Sequence, residues 1–143
     1  MSKQAEAELI LKLYELRREA TMRQARGWYF REFNPETRAD VDKAMFGEHS
    51  GHLRMVISYW DMAAALVNNG AISSEFFADT NSEHIGVFSK LEPALLEEMR
   101  QAYGAQWFAN VEKLIDATPG GREQVAVARE RMKKYRAAMT AGS

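Results

Sequence analysis

The sequence predicts an all-α fold: a single domain over 1–143, built as a bundle of about five to six helices. A central apolar helix is expected over about 51–68 and an amphipathic helix at the C-terminus. Three observations carry that expectation. No stretch alternates apolar and polar residues with a period of two, and β-branched residues are few, so no strand is predicted. Apolar residues instead recur at spacings of three and four. The three prolines and nine glycines fall mostly where such segments begin or end.

The first helix is expected over about 5–32, where Leu9, Leu13, Leu16 and Ala20 draw one apolar stripe. Its first half, LILKLYEL, is apolar around more than one face, which implies burial on two sides or a partner helix. The aromatic end, WYFREF, suits a plug at one end of the core. Asn34 followed by Pro35 reads as an N-cap with proline in the first helical position, opening a short helix through about Phe46. Ser50 reads as the cap of the central helix. There Arg54, Ser58, Asp61, Ala65 and Asn68 form one narrow polar stripe on an otherwise apolar segment, which belongs at the centre of a bundle. Gly70 is placed as its left-handed stop.

Ser73 or Ser74 reads as the cap of a short turn holding Phe76 and Phe77, and Thr80 with Glu83 matches a capping box. The helix that follows carries Phe88, Leu91, Leu95 and Met99, with Pro93 kinking or splitting it near Glu92 and Gly104 ending it. A further helix carries Trp107, Val111 and Leu114 and ends near Thr118. The PGG at 119–121 is the clearest break and reads as a hinge. Val125, Ala128, Met132, Tyr135 and Met139 then form a narrow seam on the last helix, which is expected to dock on its own bundle or on a second subunit.

The totals exclude several classes. With no cysteine, disulfide frameworks, thiolate metal sites and cysteine nucleophiles are ruled out, and the cytoplasm is the expected compartment. The start MSKQAEAE lacks the apolar core of a secretory signal, and no run approaches the roughly 20 apolar residues of a membrane span, so a soluble protein with no membrane partner is expected. The net charge of −1 is unevenly spread. Residues 36–116 carry six Lys/Arg against thirteen Asp/Glu, whereas residues 122–143 carry six against two. The basic end either pairs with the acidic middle of its own fold or meets an anionic partner.

The candidate chemistry is sparse. In GEHSGH, residues 47–52, His49 and His52 with Glu48 offer a divalent-metal site, the only cofactor the sequence suggests; otherwise the loop is a solvated helix start. Asp61 with Glu92 offers an acid/base pair, and Arg54, Ser58 and Asp61 offer a small-ligand cleft if their stripe faces inward. ALVNNGAISSEFF has the outline of a helix–turn–helix, and Arg122, Arg129, Arg131, Lys133, Lys134 and Arg136 form a basic helix. Yet the helix after that turn is acidic and aromatic, which disfavours nucleic acid. No Gly-rich phosphate loop, GxSxG elbow or HExxH occurs.

The stretch YWDMAAALVNNGAISSEFFADTNSEHIGVFSKLEP, residues 59–93, resembles a family of small bacterial all-helical proteins of unknown function. The shared features are a Tyr-Trp-acid start, a small-residue helix, a glycine stop and a following Phe-Phe. That resemblance implies an all-helical bacterial domain and brings no activity or site residue with it. The residues themselves point to a non-enzymatic interaction or regulatory module that self-associates as a homo-oligomer or takes a protein partner. Its contact surface would be Leu9, Leu13 and Leu16 with Met132 and Tyr135. A small-ligand or divalent-metal protein, using residues 48–52 and the polar stripe, is the alternative, and nucleic-acid binding through the last helix is the third reading.

Overall fold

A computed structural model describes residues 2–91 and 94–141. Within them lie nine helices and no strand: α1 Lys3–Arg17, α2 Ala20–Arg31, α3 Arg38–Phe46, α4 Ser50–Asn68, α5 Ser74–Thr80, α6 Glu83–Ser89, α7 Ala94–Tyr103, α8 Ala109–Ala117 and α9 Gly121–Ala141. The all-α expectation holds, but the helices are more numerous and shorter than the apolar periodicity implied. No helix among the described residues is long and apolar enough to cross a membrane.

One of the extra helices comes from a break in the first predicted one, which becomes α1 and α2. Glu19 leaves the helical region at φ −58° and ψ 143°, and its carboxylate accepts the Met22 N–H, so it caps a new helix instead of continuing the old one. The apolar stripe runs on across this break, which is why periodicity alone does not show it. α3 starts later than the Asn34-Pro35 pair suggested. Thr37 and Asp40 form the capping box, each side chain taking the other's backbone N–H. Ser50 is likewise the first residue of α4 and not its cap; its hydroxyl accepts from the Arg54 guanidinium. The Thr80–Glu83 box is also absent, since Thr80 closes α5 by donating to the Phe76 carbonyl and the Glu83 carboxylate accepts from Arg26. The predicted break near Pro93 falls between α6 and α7, with Glu92 and Pro93 themselves outside the described residues.

The centre of the bundle is α4, as its composition required. Leu53, Val56, Trp60, Ala63 and Ala64 are all essentially inaccessible, and α2, α3, α5 and α8 pack around them. Gly70 ends α4 at φ +84°, the left-handed conformation in which a side chain would be strained. α9 lies against α6 and α8. Its entry at 119–121 is tightly packed: Gly121 is buried, and a Cβ there would collide with the Ile115 carbonyl oxygen. Seated so, α9 places Met132 on Gly86 of α6, where an added Cβ would come within 2.8 Å of the methionine Cε.

Candidate functional site

The loop before α4 builds an aromatic column. The His49 ring stacks on Trp28 at 5.1 Å between centroids, and Trp28 stacks in turn on Phe33 at 5.2 Å. His52 lies 5.7 Å from His49, with the two imidazole planes 29° apart. Glu48 reaches within 3.6 Å of His49 Nε2. His52 Nδ1 is buried and finds no hydrogen-bond partner among the described residues. No group of three His, Cys, Asp or Glu that could hold a metal ion occurs among the described residues. His84, the third histidine, lies apart from this column, between Trp60 and Phe77.

The polar stripe of α4 has two different fates. Arg54, Ser58 and Asp61 do share one open cleft, with Trp107 and Phe108 on its far side. Within it, however, Asp61 serves as a helix cap. Its carboxylate accepts the backbone N–H of Asn110 at 3.0 Å and of Val111 at 3.1 Å, and the Asn110 amide at 3.1 Å. Those are orphan donors at the start of α8. Phe108, which precedes that helix, sits at φ +56°, a strained conformation for an aromatic residue. Arg100 holds the other side of the same turn, donating to the carbonyls of Trp107 and Phe108 and to Glu112. The partner proposed for Asp61 in an acid/base pair, Glu92, lies outside the described residues.

The residues expected to form an interface divide in the same way. Leu13 is only 4% exposed and belongs to the core, with Leu9 half-buried beside it. On α1 the apolar side chains that do face outward are Leu11, Tyr14 and Leu16. Met132 is half-buried against α6, whereas Tyr135 is 52% exposed. The seam of α9 is thus buried at Val125, half-buried at Ala128 and Met132, and open at Tyr135 and Met139. Every residue over 133–140 is exposed.

Two clefts flank the chain segment 34–36, which joins α2 to α3. On one side is a cleft of about 620 Å³, with Trp28, Phe33 and His49 in its walls and the carboxylates of Glu32, Glu36, Asp40 and Glu48 around it; among the described residues Lys43 is the one Lys or Arg lining it. On the other side, Lys90, Arg129, Lys133 and Arg136 line a cleft of about 340 Å³ with residues 34–36. Lys90 is fixed there, donating to the Tyr29 and Phe33 carbonyls at 2.8 Å each and so closing the C-terminal end of α2. Burial, with repulsion from Arg136 second, lowers its ammonium to about 8. The sequence offered the basic half of this pair through the charge run on α9. It hid the acidic half, because Trp28, Glu32, Glu36 and Glu48 are brought together only by the turn at 34–36.

The fold and these surfaces define a small helical-bundle domain with a projecting basic helix. Residues 4–118 match the family described as "Domain of unknown function (DUF4760)", and the chain belongs to that family. The match spans α1 to α8 and stops before α9. No curated protein and no solved structure matches the chain.

Proposed function

We propose that this chain is a non-enzymatic helical interaction module that self-associates. The single observation behind it is the open end of the α9 seam. Val125 and Met132 use that seam inside the bundle, and Tyr135 and Met139 prolong it beyond, where each is about half exposed. An apolar stripe that outlasts its own bundle is the feature that a second helix or subunit covers. Leu11, Tyr14 and Leu16 on α1 add a second exposed apolar group. Two inner carboxylates are engaged in the fold: Asp61 caps α8, and Glu83 binds Arg26 and the Trp60 indole. A cytoplasmic setting suits a cysteine-free chain of this kind.

Sedimentation velocity at micromolar concentration tests this. The expected result is a defined oligomer that Tyr135→Glu or Met139→Glu weakens without loss of helical circular dichroism. A strict monomer across that range refutes it.

A further inference from the structure

Resting on the self-association proposed above, we infer that the chain forms a two-fold dimer by exchange of its C-terminal helices. Residues 133–139 of each copy would lie in the acidic, aromatic-walled cleft of the other.

Charge selects the occupant. The exposed end of α9 presents Lys133, Lys134 and Arg136 around Tyr135 and Met139. Two such helices laid against each other would bring like charges together, so the α9 ends do not suit one another. The cleft bounded by Glu32, Glu36 and Glu48 has the opposite sign, and these three side chains are exposed. Glu32 and Glu36 have no ion pair among the described residues, so their charge is not spent within the fold. Asp40 differs, since it is committed to capping α3. The walls supply the apolar half of the match through Trp28, Phe33 and His49.

Position selects the symmetry. Asn34, Pro35 and Glu36 line both the acidic cleft and the cleft lined by Lys133 and Arg136, so donor and receptor adjoin across one segment. α9 is one continuous helix, and it passes the far side of segment 34–36 without turning into the cleft of its own chain. A two-fold axis near segment 34–36 brings each helix end to the partner's cleft and makes the two contacts equivalent. Such an isologous arrangement closes as a dimer, where a head-to-tail contact would propagate.

Charge reversal tests the pairing on the full chain. One variant carries Lys133→Glu with Arg136→Glu, the other Glu32→Lys with Glu48→Lys, and circular dichroism checks that each folds. Alone, each should dimerise at least about tenfold more weakly than wild type, because helix and cleft then share a sign. Mixed in equal amounts, they should form a heterodimer, since both of its contacts again pair opposite charges. The wild-type dimer should also weaken as salt rises from about 0.05 to 0.5 M. A dimer that neither variant affects overturns the exchange and leaves self-association standing through another face, such as α1. Two monomeric variants that stay apart on mixing also overturn it. A wild-type chain that is monomeric at micromolar concentration overturns the exchange and the self-association together.

Discussion

Acid should destabilise this protein through one histidine. His84 is 5% exposed, and its ring lies 5.2 Å from that of Phe77 and 6.0 Å from that of Trp60. Its Nδ1 is buried without a hydrogen-bond partner among the described residues. Burial lowers its pKa from 6.5 to about 4, against a smaller opposing pull from the neighbouring Glu83 carboxylate. In the unfolded chain the imidazole returns to about 6.5. Between those two values the unfolded chain binds a proton that the native protein does not. The stabilisation is therefore complete above about pH 6.5 and drains away as the pH falls toward 4. One pH unit across that gap is worth about 1.4 kcal/mol, so about 2 kcal/mol should vanish between pH 7 and pH 5, and about 3 by pH 4. The assay is urea unfolding followed by circular dichroism at pH 7, 6 and 5, on wild type and His84→Leu. An apolar side chain of similar size replaces an unpaired polar atom, so the variant should be close to wild type at pH 7. Below pH 6.5 it should lose stability less steeply, and the two curves should diverge by about 2 kcal/mol at pH 5. Parallel pH dependences would refute the assignment of this loss to His84.

Three further outcomes test how the bundle is held. Asp61→Ala strips the cap from α8 and should cost about 2 kcal/mol, with faster hydrogen exchange at the amides of Asn110 and Val111; unchanged exchange there would show that the cap is dispensable. Leu13→Glu should unfold the monomer, at a cost of at least about 3 kcal/mol, whereas Leu16→Glu should stay within about 0.5, and equal effects in thermal melts would contradict their different burial. Gly121→Ala forces a methyl group onto the Ile115 carbonyl and should cost about 1–3 kcal/mol; a melting temperature equal to wild type would mean that the 119–121 turn yields freely.

The parts of the fold legible in the sequence are those that one element decides alone. The apolar circumference of α4 could only be central, and Gly70 could only be a stop. What was not legible depends on two segments meeting. Glu19 looks like any helical glutamate until its carboxylate turns back to the Met22 N–H. Leu13 and Leu16 share a sequence stripe, but the bundle buries the first and leaves the second open. His49 and His52 are neighbours in sequence, and nothing in their spacing shows that Trp28, distant in sequence, stacks on the first and lies tilted against the second. The acidic cleft is of the same kind, because its carboxylates belong to the end of α2, the 34–36 segment and the loop before α4.

Dividing the chain into many short helices also explains how several of its inner charged groups are used. Every helix leaves up to four backbone donors at one end and four acceptors at the other, so a bundle of short helices has many orphan groups to satisfy for its size. Side chains that would elsewhere be free to act on a substrate are drawn to those ends. Lys90 takes the carbonyls that close α2, Arg100 those before α8, Asp61 the N–H groups that open α8, and the Glu6 carboxylate the Ser73 N–H before α5. Each is a charged group within reach of the interior, and each is spent on architecture. The charges left over are on the outside, positive along the end of α9 and negative around the cleft beside it. The surface of the bundle thus carries both signs side by side.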